Sequence, residues 1–129
     1  MTVKRVETTK TADTLLNQLV EKYGALMFHQ SGGCCDGSSP MCYPIGDFKV
    51  GQRDVFLGYV GDTNIPFYIG GDQFEYWKHT HLTVDVVVGR GGGFSLESPE
   101  GKRFLIRSRL YSDAEWAILA NEPVVTGAR

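Results

Sequence analysis

The chain has 129 residues and a mass of 14.3 kDa, the size of one domain rather than two. Hydrophobic residues make up 42% and charged residues 22%, the balance of a globular chain and not of a disordered one. No apolar stretch reaches the roughly 18–20 residues of a membrane span, and a net charge of −2 gives no reason to expect nucleic acid or an anionic membrane as partner.

The opening MTVKRVETTK has no apolar run behind its charges, so it does not read as a secretory signal, and a cytoplasmic protein is expected. Residues 3–6 suit a short strand. Leu15, Leu16, Leu19, Val20 and Tyr23 form one apolar stripe and predict a helix over 12–23. Thr11 is its expected cap, Asp13 lies in its first turn, and Gly24 is placed to stop it. Residues 25–29 read as a strand. The stretch from Gln30 to Cys42 carries too much glycine, serine and proline for regular structure. There Gly32 and Gly33 let the backbone turn tightly and approach a ligand.

Strands are expected over 55–60 and 65–69, with Pro66 pointing to a sheet edge for the second. Residues 72–78 suit a short helical turn, and the β-branched run 82–88 a core strand. The glycine-rich run 89–93 precedes a strand-like segment rather than a helix start, so it predicts a hairpin and not a phosphate loop. Two strands follow over 94–97 and 103–109. Ser112-Asp-Ala-Glu115 is a capping-box pattern that opens a short helix carrying Trp116 and Leu119. The tail from about 122 is expected to fray. This order predicts one α+β domain over 1–129 with a mostly antiparallel sheet, because the later strands are joined by turns too short for crossovers.

The cysteines carry the chemistry. The chain has three: Cys34, Cys35 and Cys42 fall within nine residues. Adjacent cysteines bridge only with strain, and clustered thiols in a reducing compartment point to metal or redox work. Thiolate suits iron, zinc, copper(I) or an iron–sulfur cluster. His29 leads into the loop as a further candidate ligand. His79 and His81, two apart, would share one face of a strand. Thiol redox is a second reading: a thiolate in a glycine turn has a lowered pKa, and Cys42 could resolve an oxidised Cys34 or Cys35. A cysteine hydrolase oriented by Asp36 or Asp85 lacks any ordering that identifies a base. The bland alternatives are small buried thiols and histidines that hydrogen-bond at a sheet end. Lys102, Arg103, Arg107 and Arg109 alternate with apolar residues and read as a solvated sheet face. Phe74, Tyr76 and Trp77 are expected in the core or at a subunit interface, and a homodimer is expected.

Ser31-Gly-Gly-Cys34 resembles the turn of the A-type iron–sulfur carriers of the HesB-like fold. The resemblance extends through the segment 72–84 and through Gly91-Gly-Gly-Phe94 with Ser98-Pro99. It implies a HesB-like sandwich or rolled sheet with an N-terminal helix and a short C-terminal helix. The carriers' later Cys-X-Cys pair has no counterpart in 101–107, so Cys34 alone carries over as a ligand. The chain as a whole resembles an uncharacterised bacterial family with the signature His-Gln-Ser-Gly-Gly-Cys-Cys-Asp-Gly-Ser, here 29–38, often encoded beside aldehyde dehydrogenases. That resemblance implies an accessory protein of aldehyde or alcohol oxidation, with an aldehyde dehydrogenase as partner. The combined expectation is a metal ion or iron–sulfur centre held by Cys34 and Cys35, then Cys42, with His29, His79 and His81 as further ligands. A thiol-redox or aldehyde-adduct protein using Cys34 or Cys35 is the alternative, and a binding module with inert cysteines the third.

Overall fold

A computed structural model describes residues 3–32, 38–89 and 95–127. The elements run β1 (Val6–Thr8), α1 (Lys10–Tyr23), β2 (Leu26–Gln30), β3 (Met41–Pro44), β4 (Val55–Val60) and β5 (Ile65–Ile69). They continue with α2 (Gly71–Trp77), β6 (Thr80–Val88), a 3₁₀ turn (Ser98–Glu100), β7 (Lys102–Leu110), α3 (Asp113–Leu119) and β8 (Val125–Thr126). The architecture is α+β, with two open sheets and, among the described residues, three α-helices. None of the described helices is long and apolar enough to cross a membrane.

The helix α1 forms where its apolar stripe dictates. Ala12, Leu15, Leu16 and Leu19 are buried, at spacings that put them on one side. Its cap is Thr9, not Thr11: the Thr9 hydroxyl accepts the Ala12 N–H at 3.1 Å. Thr9 is extended, as a capping residue must be, whereas Thr11 already lies inside the helix. Gly24 ends it with φ +82°, and its N–H closes on the Val20 carbonyl.

The smaller sheet has the order β1-β6-β7 and the larger β3-β2-β5-β4-β8. Four neighbouring pairs are antiparallel, while β1·β6 and β2·β5 are parallel. The first parallel pair is bridged by most of the chain and the second by everything from β3 to β4, so both crossovers are long enough. One core joins the sheets. Phe28 of β2 meets Phe104 of β7 edge-on at 5.0 Å, and Phe67 of β5 at 5.5 Å. The buried face of α1 joins the same cluster.

Four local expectations change. The strand β5 is central, between β2 and β4, although it contains Pro66. Its ladder with β2 begins only at Phe67, so the N–H that proline lacks falls outside it. Residues 95–97 form no strand. They turn into the 3₁₀ segment, and Leu96 donates its N–H to the Cys42 carbonyl at 3.0 Å. Within the tail, where no strand is expected, Val125 and Thr126 pair with Phe56 and Val55. The strand β3, hidden by its flanking prolines, pairs with β2. The hairpin expected over 89–93 lies mostly outside the described residues, although Gly89 donates to the Gly101 carbonyl at its base.

Phe28 is fully buried and touches both sheets. Phe28→Ala is expected to destabilise by about 3–5 kcal/mol, measured by urea unfolding. A loss under about 1 kcal/mol would show that the sheets do not depend on this contact.

Candidate functional site: a polar cleft at the start of the cysteine loop

Strands β2 and β5 run parallel and end together, with the Gly70 N–H donating to the Gln30 carbonyl at 3.0 Å. Beyond these ends lies a cleft of about 340 Å³, lined by His29, Ser31, Asp54, Gly71, Asp72 and others. The carboxyl ends of parallel strands are where such sheets commonly place ligands. Gly71 permits the close approach of α2 to the chain opposite, since a Cβ there would stand 2.6 Å from the Arg53 carbonyl oxygen. Ser31, the first residue after β2 on the way to the cysteine segment, belongs to this lining.

His29 is buried at the cleft wall. Its Nε2 lies 2.9 Å from Asp54 Oδ1 and its Nδ1 lies 2.6 Å from Ser31 Oγ. Its ring packs on Phe48 at 4.3 Å, and Phe48 stacks on Tyr43. A carboxylate only accepts, so Nε2 carries a proton and donates to Asp54; in the neutral imidazole Nδ1 then accepts from the Ser31 hydroxyl. The other Asp54 oxygen accepts the Gly51 N–H at 2.8 Å, which fixes the carboxylate. Both ring nitrogens of His29 are thus engaged by protein groups.

The other expected ligands lie elsewhere. Cys42 pairs with Phe28 across β2 and β3, so it shares the face of Phe28 and not that of His29. It is fully buried in the apolar core, and burial, with Glu97 adding, drives its thiol pKa upward. His79 precedes β6, is exposed, and packs its ring on Trp116 at 4.4 Å. His81 is buried, with Nε2 2.9 Å from Glu7 Oε2 but off the line a hydrogen bond needs. Cys34, Cys35 and Gly33 lie outside the described residues, as does Asp36; Gly32 is described and exposed. Among the described residues no three His, Cys, Asp or Glu side chains converge as a metal centre requires. Cys42, His29 and the pair His79 and His81 therefore do not fit one metal ion or cluster.

A second buried polar group stands beside Cys42. Glu97 is fully buried. It accepts from the Ser95 hydroxyl and, at 3.4 Å, from the Phe104 N–H. Ser95 Oγ in turn accepts the Cys42 N–H at 2.8 Å. The pair clamps the 95–97 turn to β3. Burial raises the Glu97 pKa, opposed by these hydrogen bonds.

The basic residues of β7 are largely absorbed by partners. Arg107 pairs with Asp85 at 2.8 Å, which lowers the Asp85 pKa. Arg109 forks onto Glu115 at 2.8 and 2.9 Å and holds that carboxyl down at about 2. Arg103 donates to Ser39. Asp85, once a possible orienter for a cysteine base, is taken up by Arg107 and Thr9. Phe74 and Trp77 are core residues, while Tyr76 is exposed. The sequence reading assigned no role to Ser31 or Asp54. Ser31 is two residues from His29 and could have been noticed. Asp54 is 25 residues away, and no local pattern links them.

Two outcomes follow from the buried groups. Cys42 is expected to resist iodoacetamide in the native state and to react only on unfolding; native labelling at the rate of an ordinary thiol would show the core is open there. For Glu97, the folded pKa is raised, so its stabilising share is complete below the ordinary glutamate range and is lost as pH rises through the folded value. Glu97→Gln is expected to flatten the pH dependence of stability across that range, followed by urea midpoints from pH 4 to 8. An unchanged slope would mean that Glu97 titrates as an exposed carboxyl.

Neither the curated proteins nor the solved structures contain a match to this chain. A family model does match, over residues 15–110, from within α1 to the end of β7. The match takes in the cleft, the cysteine loop and both parallel strand pairs but for β1, and the chain accordingly belongs to the family described as Domain of unknown function (DUF779).

Proposed function

We propose that this is a small accessory protein of aldehyde and alcohol oxidation that works through the thiols of Cys34 and Cys35, as an aldehyde-adduct protein. The observation that carries the reading is the seclusion of Cys42. A thiol sealed in the core, on the face opposite His29, neither completes a three-cysteine metal site nor resolves an oxidised neighbour without unfolding. What remains is a pair of adjacent thiols on a glycine loop that starts at an open polar cleft. Adjacent cysteines bridge poorly to one another, which disfavours a disulfide cycle and leaves addition chemistry. A thiolate sulfur forms an S–C bond to the aldehyde carbon, the C=O π bond breaks with its electron pair going to oxygen, and that oxygen takes a proton. The product is a thiohemiacetal, formed without any change of oxidation state. Such a protein would shuttle or buffer the aldehyde for an aldehyde dehydrogenase.

The same reading places it in the cytoplasm as a homodimer. The order α1, β2 and then the sequence Ser31-Gly-Gly-Cys34 is what supports a HesB-like architecture for the domain. A metal ion or iron–sulfur cluster on Cys34 and Cys35 is the competing outcome of the test, its remaining ligands coming from a second copy or a partner.

The experiment is alkylation kinetics on protein purified without air or an affinity metal, with metal content measured on the same sample. Acetaldehyde is expected to slow iodoacetamide labelling of Cys34 or Cys35 in a saturable way, in metal-free protein. Labelling indifferent to the aldehyde would sink the adduct reading. Near-stoichiometric iron, zinc or copper that is lost in Cys34→Ser would replace it with the metal reading.

A further inference from the structure

Among the described residues, three acid–base assemblies are built around a buried histidine or glutamate. Ser95 and Glu97 are sealed from solvent, so no reactant reaches them. His81 and Glu7 sit against Tyr111 with no hydroxyl or thiol nucleophile hydrogen-bonded to the imidazole. The third, Ser31, His29 and Asp54, opens onto the cleft, and it is built as a relay.

Asp54 is fixed at one end by the Gly51 N–H. Its carboxylate holds the proton on Nε2 of His29, whose ring is fixed at its edge by that bond and on its face by Phe48, tilted 33° to it. The free lone pair on Nδ1 then receives the Ser31 O–H at 2.6 Å. His29 is buried while Ser31 is exposed, so the polarised hydroxyl is the end of the relay that a reactant meets. Nucleophile to base and base to orienting carboxylate, both within hydrogen-bond reach, is the arrangement that activates a serine. The relay uses Nδ1 toward serine and Nε2 toward the carboxylate, the reverse of the usual assignment; the roles define such a site, not the atom labels. Burying an imidazole beside a carboxylate is costly compared with apolar residues of similar size, and packing alone gives no reason for it.

We infer that Ser31, His29 and Asp54 form an acyl-transfer centre, an activity separate from the thiol chemistry of Cys34 and Cys35, and that it takes esters of short carboxylic acids. Ser31 Oγ attacks the ester carbonyl and forms the O–C bond, while His29 Nδ1 takes its proton. Asp54 stabilises the imidazolium. The C–O bond to the alcohol then breaks and the alcohol leaves with that proton. Water attacks the acyl-serine with His29 again as base, releasing the acid and restoring Ser31. Among the described residues, the cleft around Ser31 is lined by polar side chains and glycines, which suits a short acyl group.

The test treats the full-length protein with an alkyl fluorophosphonate and maps the adduct by peptide mass spectrometry, which separates Ser31 from Cys34 and Cys35. The serine displaces fluoride from phosphorus by the same base-assisted attack. An adduct on Ser31 is expected, absent in Ser31→Ala. It should form at least about 100-fold more slowly in Asp54→Asn, at saturating probe and with the unfolding midpoint little changed. Ser31→Ala is an exposed change that leaves packing intact, so the result does not depend on the fate of the Asp54 variant. No adduct on Ser31, adducts on the cysteines alone, or an equal rate in folded Asp54→Asn would each overturn the inference. None of these outcomes decides whether aldehyde protects Cys34 and Cys35.

Discussion

Everything at this site follows from the two-residue period of one strand. Along β2, Phe28 and His29 are neighbours, so their side chains take opposite faces of the sheet. Phe28 goes inward, onto Phe104 and Phe67, and fastens the two sheets to each other. His29 therefore goes to the other face, at the end of the strand, where the cleft opens. The cross-strand pairing then settles Cys42. Opposite Phe28, it can only share the core. A one-residue slip of β3 would move the thiol to the cleft side, so the register of a four-residue strand decides whether this cysteine is a reactive group or a packing group.

The two carboxylates near β2 and β3 illustrate how environment divides labour. Asp54 keeps partial access to solvent and meets a histidine and a backbone N–H. Glu97 is enclosed, meets a hydroxyl and a distant backbone N–H, and is pushed toward its neutral form. The first is suited to steadying a charge that appears on the imidazole. The second is suited to holding a turn in place, and it ties the β6–β7 excursion to the strand that carries Cys42.

The fold's legibility varied with the range of the forces involved. The α1 stripe, the Ser112–Glu115 capping box and the β-branched run of β6 were visible because each is decided within a few residues. Pro66 misled because a local rule about edges took no account of where the neighbouring ladder starts. The terminal β8 and the short β3 have no strong pattern of their own. They become strands only because β4 and β2 present open edges to them. At the site, the glycine-rich cysteine segment was conspicuous in the sequence, and so was His29. The partner that gives His29 its chemistry was not, since Asp54 arrives from a separate turn. His29 and Cys42 are close in sequence, yet strand alternation and pairing set them on opposite faces.

By itself, then, the sequence determined an α+β chain of one domain's size, the apolar stripe of its first helix, the capping box of its last, its main strands and a clustered set of thiols. These depend on short-range periodicity, capping and turn chemistry, which any window of a dozen residues contains. Only the tertiary structure decided which of those groups meet: that Cys42 is core, that the histidines stand apart, and that Ser31, His29 and Asp54 share one cleft. The reason is that hydrogen bonds and burial act between residues brought together by strand register and sheet order, and those are set by how the whole apolar surface is hidden at once.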